Sequence, residues 1–181
     1  MTRHGDHLIQ LAWMPLLFPV NCYLVKEPDG LTLVDTEFAS TQAAWGALPD
    51  PIRYRIEGRR AVFDFTGRKR AFPPSQEEID RNPPVMHPIV RTHPCTGKKC
   101  LYIMRDDCTG VEGLEQDEAE ALIAALADHI VKPEFVYRHR WCPGDLLMWD
   151  NCTVQHRAIQ DYDLPQRRLM HRTTMGGTAP V

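Results

Sequence analysis

The side chains that could carry out chemistry are concentrated in the last third of the chain. His156 follows an apolar stretch that includes Trp149. Arg168 and Arg172 come next, four residues apart, so a strand would place both on one face. A guanidinium group can bind a carboxylate through two parallel hydrogen bonds, and a second arginine on that face can hold another anionic group. The spacing predicts a cavity in which an imidazole and two arginines meet a small anion.

Short apolar runs, separated by proline and glycine, predict the strands that must position these side chains. Many short segments of this kind are typical of an all-β or an α+β domain. The predicted strands are Asn21–Val25, Leu31–Val34, Arg60–Phe65, His87–Arg91, Lys99–Ile103, Val136–Trp141, Leu146–Trp149, Val154–Ala158 and Arg168–Thr174.

Helices are predicted in two places. Apolar residues recur at the spacing of a helical turn within Glu115–Val131, which predicts one long amphipathic helix. Two short helices are predicted over Thr41–Leu48 and Pro51–Glu57, because the second begins with an aspartate at the N-cap and a proline at the first helical position. The segment Arg68–Pro84 is rich in charge and proline, and it is expected to be an irregular surface excursion.

Composition limits the class of protein. The chain has 181 residues, of which 43% are hydrophobic and 25% charged, enough for one domain with a buried core. Its net charge of −3 and its scattered basic residues argue against nucleic acid as a partner. No apolar run reaches the roughly 18 residues of a membrane span, and the N-terminus lacks the apolar stretch of a signal peptide. A cytoplasmic protein without a membrane partner is therefore expected.

The six cysteines are expected to be reduced in that compartment rather than joined in disulfides. Cys95, Cys100 and Cys108 are close enough in sequence to raise the alternative of a zinc site. Their spacing lacks the paired Cys-x-x-Cys pattern that is typical of zinc modules, so this alternative is the weaker one.

The remaining histidines and tryptophans have ordinary structural explanations. His93 and His139 are expected to be hydrogen-bonded within strands, and Trp141 and Trp149 are expected to fill the core. His171 alternates with Arg172 along a strand and should face the opposite side. Taken alone, His156 would also be explained most simply as a structural histidine. The motifs on either side of it favour a role as a metal ligand instead.

Several motifs occur in the order found in one family of oxygenases. They are DTEFAS at 35–40, HPIVRTHP at 87–94, WDNCTVQH at 149–156 and QRRLMHR at 166–172. The chain from about residue 35 to its end resembles the taurine dioxygenase and 2,4-dichlorophenoxyacetate dioxygenase family. The resemblance implies a double-stranded β-helix, or jelly roll, and Fe(II)- and 2-oxoglutarate-dependent chemistry.

The resemblance also implies roles for individual residues. His156 matches the distal iron histidine of the family. Arg168 and Thr36 match the arginine and the threonine that bind the far carboxylate of 2-oxoglutarate, and Arg172 matches the arginine beside the anionic group of the substrate. Thr36 could equally be a strand-end residue whose hydroxyl bonds the backbone, and the two arginines could be surface ion-pair partners.

A family iron site also needs a His-x-Asp or His-x-Glu pair, because two histidines and one carboxylate hold Fe(II) and leave positions open for the oxoacid and O2. The available match in this chain is His4 and Asp6. A solvated N-terminus without any metal is an equally good explanation of these two residues. The metal set implied by the resemblance is thus His156, His4 and Asp6.

The N-terminal segment has a second resemblance. Residues 7–36 resemble the opening hairpin of metallo-β-lactamase-fold hydrolases, although the His-x-His-x-Asp-His zinc motif is absent from the chain. We therefore expect a single dioxygenase-like domain over 1–181, with an atypical segment at 1–34 and a family-like core at 35–181. The expected fold is α+β and mainly β, a jelly roll that is N-terminally truncated or altered, with one long and one or two short helices.

The predicted function is a dioxygenase that hydroxylates a small anionic substrate, a sulfonate or a carboxylate, with O2 and 2-oxoglutarate and with succinate and CO2 as co-products. The alternative is a non-catalytic remnant that lacks a complete iron site and acts as a small-anion-binding or structural domain. A shortened jelly roll exposes sheet edges, which favour pairing with another chain, so a homo-oligomer is one expected outcome.

Overall fold

The computed structural model describes residues 36–68, 72–141, 145–159 and 179–181 with their side chains, and the backbone of four further strands. The elements in this part of the chain, in order, are β1 (Thr2–His4), β2 (Leu8–Gln10), β3 (Val20–Leu24), β4 (Thr36–Ser40), α1 (Thr41–Gly46), α2 (Asp50–Ile56), β5 (Arg60–Phe63), α3 (Gln76–Arg81), β6 (Val85–Pro88), β7 (Val90–Thr92), β8 (Lys99–Leu101), β9 (Cys108–Val111), α4 (Gln116–Ile130), β10 (Val136–His139), β11 (Leu146–Asp150), β12 (Val154–Ala158) and β13 (His171–Thr174).

The chain divides into two compact units. Unit one consists of Met1–Ser40 and Val136–Thr178, and unit two consists of Thr41–Phe135 and Ala179–Val181. Both contain antiparallel sheets, and the α helices of the described residues all belong to unit two. The mixed α and β content with few helices agrees with the expected fold class.

Unit one contains two three-stranded sheets. In the first, β4 lies between β10 and β12, and both neighbours are antiparallel to it. In the second, β3 lies between β11 and β13 in the same antiparallel manner. The central strand of each sheet comes from the N-terminal segment of this unit and its neighbours come from the C-terminal segment.

The arrangement around β3 corrects the expectation for the N-terminal segment. β3 is paired on both edges with strands from the C-terminal part of the chain, so both of its hydrogen-bonding edges are occupied. The predicted strand Leu31–Val34 lies outside the described residues. The resemblance of residues 7–36 to a metallo-β-lactamase hairpin is not supported.

Unit two is built around the long helix α4. The helix buries the apolar stripe that the sequence predicts, and its bounds differ from the predicted ones by one residue at each end. β5 pairs with β6 and β9, and β7 pairs with β8. The largest fully buried apolar side chains of this unit are those of Ile56, Ile89, Leu101, Ile103, Leu126 and Ile130.

The segment Arg68–Pro84 is not entirely irregular, contrary to the prediction. It contains α3, whose N-terminus is closed by a reciprocal pair of hydrogen bonds between Ser75 and Glu78. The side chain of Ser75 accepts from the backbone N–H of Glu78, and the Glu78 carboxylate accepts from the backbone N–H of Ser75. This capping box satisfies two helix-end donors, which is why a short charged helix forms here.

Two further differences concern the strands. The predicted strand His87–Arg91 is divided into β6 and β7, with Ile89 between them fully buried. β4 was not predicted as a strand, although it is the centre of the first sheet. None of the helices among the described residues has the length and hydropathy needed to cross a bilayer.

Candidate functional site

The first sheet of unit one brings chemistry-bearing residues onto one face. Strand residues alternate between the two faces of a sheet, and directly paired residues share a face. His156 pairs with Phe38, and Phe38 pairs on its other side with Tyr137. Thr36 lies two residues before Phe38 on β4 and pairs with His139. All five residues therefore share what we call the inner face.

The opposite face of this sheet has a different character. Glu37 pairs with Arg157 and with Arg138 in the register of the three strands. The Glu37 carboxylate accepts from the Arg157 guanidinium at 2.8 Å. Because the Arg157 side chain is 74% exposed, this ion pair lies in water and contributes little to stability.

A tight turn lies between Trp149 and His156. The Asp150 carboxylate accepts from the backbone N–H of Cys152 at 2.7 Å and from the Thr153 hydroxyl at 3.1 Å. These bonds close the turn between β11 of the second sheet and β12 of the first. The indole N–H of Trp149 donates to the Asn151 side chain at 3.0 Å. The turn thus carries the chain from one sheet to the other and sets the position of His156.

The imidazole of His156 is held by two aromatic rings. It stacks on Phe38 with 6.1 Å between ring centroids, and it lies 4.8 Å from the ring of Trp149. Phe38 and Trp149 also contact each other edge to face at 4.9 Å, and both are buried. His156 itself is exposed. Its ring is therefore oriented by packing while part of it can reach solvent or a ligand.

Thr36 is buried at the other end of the inner face and is 3% exposed. Its hydroxyl oxygen accepts from the indole N–H of Trp141 at 3.1 Å. The His139 ring lies edge-on to Trp141 with a centroid separation of 4.6 Å. His139 also bonds the Asp145 carboxylate through Nε2 and the Tyr137 hydroxyl through Nδ1, both at 3.1 Å. A chain of contacts thus leads from Asp145 to the hydroxyl of Thr36.

Of the predicted site residues, Thr36 and His156 are brought together on the inner face. Diagonal neighbours on adjacent antiparallel strands lie about 7–8 Å apart, which is the relation between these two. Arg172 lies on β13 in the second sheet and pairs with Tyr23 of β3. Trp149 pairs with Asn21, two residues earlier on the same central strand.

The remaining predicted site residues are less fully described. His4 is the last residue of β1 and pairs with Leu8. Asp6 and Arg168 lie outside the described residues. The ligand roles of His4 and Asp6 and the cosubstrate role of Arg168 therefore stay predictions.

His93 has a structural role that differs in detail from the expected one, and the cysteines that could have suggested zinc do not come together. His93 is 2% exposed, and its Nδ1 accepts from the backbone N–H groups of Cys95 and Thr96, so it closes a turn rather than lying within a strand. No cluster of three metal-binding side chains among the described residues includes Cys95, Cys100 or Cys108. Cys108 is buried, and burial raises the pKa of its thiol to about 11.

The sequence analysis missed the importance of Trp141 and His139 to this face. Trp141 is in the core, as expected, but its indole N–H is also hydrogen-bonded to a predicted site residue. The alternation of Tyr137, His139 and Trp141 places all three on one side of the predicted strand Val136–Trp141, but it does not identify the partner of the indole N–H.

Comparison with known proteins gives one matching family model and many relatives. The model described as taurine catabolism dioxygenase TauD, TfdA family, matches residues 34–174. The alpha-ketoglutarate-dependent 2,4-dichlorophenoxyacetate dioxygenase of Cupriavidus pinatubonensis is 43% identical over 143 residues, which are 77% of this chain and 49% of that protein. The alpha-ketoglutarate-dependent sulfate ester dioxygenase of Pseudomonas putida is 32% identical over 161 residues, covering 81% of this chain and 52% of that protein.

Solved structures show the same similarity in three dimensions. The crystal structure of AAD-2 in complex with Mn(II) and N-oxalylglycine has a TM-score of 0.79 and 32% identity, covering 92% of this chain and 66% of that one. A taurine dioxygenase from Burkholderia xenovorans has a TM-score of 0.73 and 30% identity, covering 91% of this chain and 54% of that one. The chain spans about half the length of the curated relatives that it matches.

Proposed function

The chain belongs to the taurine catabolism dioxygenase TauD, TfdA family, and from that premise we propose that it forms part of an Fe(II)- and 2-oxoglutarate-dependent dioxygenase. The proposed substrate is a small organic anion, a sulfonate or a carboxylate, and the proposed co-products are succinate and CO2. The relatives named above act on a phenoxyacetate and on sulfate esters, which supports this substrate class.

The observation that carries the proposal is the shared inner face of Thr36 and His156. An exposed imidazole and a buried hydroxyl lie on adjacent strands with their positions fixed by sheet register. Such a spacing suits a short dicarboxylate that chelates a metal at one end and is recognised at the other. Rigid strands position these two groups more accurately than loops would.

The donor set fits iron by its chemistry. His156, His4 and Asp6 would provide two imidazoles and one carboxylate, the set that holds Fe(II) while leaving neighbouring positions open. When bound, the iron would supply the oxidising chemistry, with O2 as oxidant and 2-oxoglutarate as the co-reductant that becomes succinate and CO2. The described structure supports this assignment through His156, whose ring is oriented by Phe38 and Trp149 and remains exposed.

The chain's own residues would bind and orient the two organic molecules. Arg168 and Thr36 would bind the far carboxylate of 2-oxoglutarate, the first by a charged two-point contact and the second by a hydroxyl donor. Arg172 would bind the anionic group of the substrate. Its place on β13 supports this role, because that strand belongs to the sheet that carries Trp149, which contacts His156.

The test is anaerobic titration of the protein with Fe(II) and 2-oxoglutarate. A chelated oxoacid gives a weak visible charge-transfer absorption, which we expect for the wild type and not for His156→Ala. Arg157→Ala is the matched control, because Arg157 is the next residue on β12 and lies on the opposite face. Absence of the absorption in the wild type at saturating concentrations would overturn the proposal.

The non-catalytic alternative has less support. Thr36 and His156 keep a common sheet face, and the relatives reported above are dioxygenases. The same titration separates the two, because a remnant without a competent site would bind 2-oxoglutarate equally with and without the metal. That binding is measured by equilibrium dialysis.

We further propose that residues 1–181 form one domain, with 1–34 as its atypical segment and 35–181 as its family-like part. The support is that unit one is discontinuous in sequence, with its two segments flanking unit two in the chain. We infer that its two antiparallel sheets belong to a jelly roll, since Trp149 of one sheet contacts Phe38 of the other. Self-association through sheet edges remains a prediction that light scattering tests.

A further inference from the structure

The hydrogen bond between Trp141 and Thr36 has a fixed direction. An indole N–H can only donate, whereas a threonine hydroxyl has one proton to donate and two lone pairs that accept. In this bond, therefore, the Thr36 oxygen must be the acceptor, over a distance of 3.1 Å. Both side chains are buried, Trp141 at 6% exposure and Thr36 at 3%, so the bond lies out of water.

The direction of this bond matters for the recognition of an anion. A carboxylate has no proton and can only accept, so a hydroxyl that binds it must donate its own proton. Once Trp141 occupies one lone pair of Thr36, the role that suits an anionic ligand is donation of the hydroxyl proton. We propose that Trp141 is a positioning residue that orients the Thr36 hydroxyl as a donor toward the far carboxylate of 2-oxoglutarate. This inference rests on the proposed function.

The surroundings of Trp141 support a fixed orientation of its ring. The imidazole of His139 lies at 88° to the indole plane, 4.6 Å away between centroids. The Asp145 carboxylate can only accept, so Nε2–H of His139 donates to it, and Nδ1 of His139 is hydrogen-bonded to the Tyr137 hydroxyl. The imidazole is thus bonded on both nitrogens, and its ring cannot turn without losing one of those bonds. Trp141 therefore packs against a ring that is itself held in place.

The experiment measures the dissociation constant of 2-oxoglutarate for protein loaded with Mn(II), by isothermal titration calorimetry. Trp141→Phe keeps the aromatic packing and removes the indole N–H. We expect it to weaken 2-oxoglutarate binding about 3- to 10-fold, the range of one hydrogen bond. Trp45→Phe is the matched control in unit two, and its affinity should equal that of the wild type. Thermal melts check that each variant is folded.

A double-variant comparison tests whether Trp141 acts through Thr36. Thr36→Val removes the hydroxyl and keeps the shape of the side chain, and it should weaken 2-oxoglutarate binding about 10-fold or more. In that background Trp141→Phe should cause no additional loss. An equal additional loss with and without the hydroxyl would overturn the inference, since Trp141 would then act independently of Thr36.

A measurement on the wild type covers the case in which Trp141→Phe does not fold. In protein labelled with 15N-tryptophan and loaded with diamagnetic Zn(II), the Trp141 indole N–H signal should move when 2-oxoglutarate is added. The Trp45 signal should stay in place. An unmoved Trp141 signal in protein that binds 2-oxoglutarate overturns the inference.

Failure of the proposed function has a separate signature. If the wild type does not bind 2-oxoglutarate in the presence of the metal, the proposed function fails. If the wild type binds, Thr36→Val weakens binding and Trp141→Phe behaves like Trp45→Phe, then the proposed function stands and the positioning role of Trp141 is rejected.

Discussion

The two units of the chain differ in where they put their polar groups. In unit one, polar and aromatic side chains share the inner face of a sheet, where a hydrogen bond reaches a buried threonine and ring contacts reach an exposed histidine. In unit two, the buried side chains are mostly aliphatic, with Thr41, Arg91 and His93 as buried polar exceptions, and the ion pairs of the described residues are at least partly exposed to water. The contrast suggests that unit one carries the chemistry and unit two mainly contributes packing.

The cavity in unit two fits this division. A space of about 500 Å3 lies between α2 and α4, lined largely by small apolar side chains such as those of Ala47, Ala121 and Ala125. Five titratable side chains also line it: Arg55 pairs with Glu118, Asp128 pairs with Arg105, His129 bonds the carbonyl of Ala44, and the fifth is Lys132. A surface of this kind offers packing area and few groups that could act on a bound molecule.

The largest effect is expected for a core substitution in unit two. Leu126 is 1% exposed on α4, so Leu126→Ala should lower the free energy of unfolding by about 2–5 kcal/mol. If unit two contributes only packing, Leu126→Ala should still bind Mn(II) and 2-oxoglutarate with wild-type affinity at a low temperature where it remains folded. Urea denaturation and calorimetry measure the two quantities. Val131→Ala is the control, because Val131 is 53% exposed just after the helix. If folded Leu126→Ala no longer binds 2-oxoglutarate, the assignment of a packing role alone to unit two is wrong.

A smaller effect is expected where packing and chemistry coincide. Phe38→Leu keeps an apolar side chain but loses the ring contacts to Trp149 and His156. We expect a loss of about 1–3 kcal/mol in unfolding free energy and a lower affinity for Mn(II), because the imidazole is less well oriented. Tyr137→Leu changes the same row of the sheet at a position that is 59% exposed, and it should cost less than about 1 kcal/mol. If Phe38→Leu binds Mn(II) with unchanged affinity, the Phe38 ring does not orient the imidazole of His156 for metal binding.

The cap of α3 should have a local effect within unit two. Ser75→Ala removes the side-chain acceptor at the N-terminus of the helix and should cost about 1 kcal/mol. Arg81→Ala, on the same helix, breaks an ion pair whose side chains are both more than 70% exposed, and it should cost at most about 0.5 kcal/mol. Urea denaturation compares the two variants. Equal costs would show that charge pairing rather than capping holds this helix.

The smallest effect concerns pH. Burial, together with the positive charges of Arg60 and Arg91, lowers the pKa of His87 below its ordinary value of 6.5. Above that value the imidazole is neutral in both the folded and the unfolded chain. As the pH falls through 6.5 toward the folded-state pKa, the unfolded chain takes up the proton first, so stability decreases. His87→Gln should reduce this decrease, as measured by urea midpoints between pH 7 and pH 5. A pKa above 6.5 for His87 in the folded protein, measured by NMR titration, would contradict the predicted direction of this pH dependence.

Elements with strong local signals were predicted well from the sequence. α4 was predicted because its apolar residues recur with the helical period, and β12 was predicted with its observed bounds. α3 was missed although Ser75 and Glu78 have the spacing of a capping box, because the charge and proline of the surrounding segment outweighed that signal. Local pattern decided each of these outcomes.

The site was predicted in part. The motif order indicated Thr36 and His156, and the sheet register places them together. The role of Trp141 could not be predicted, because its partner lies 105 residues away in sequence and the pairing depends on β4, which was not predicted. Contacts between distant strands are set by tertiary packing, which a single sequence does not reveal.

The interleaving of early and late strands has a consequence for biosynthesis. Each three-stranded sheet of unit one has a central strand from the first 40 residues and flanking strands that follow residue 135. On the ribosome, β3 and β4 must wait for partners that emerge about a hundred residues later or more, whereas unit two is almost continuous and can fold first. During that interval both edges of each waiting strand are open, so the nascent chain depends on protection from premature pairing until its last strands emerge.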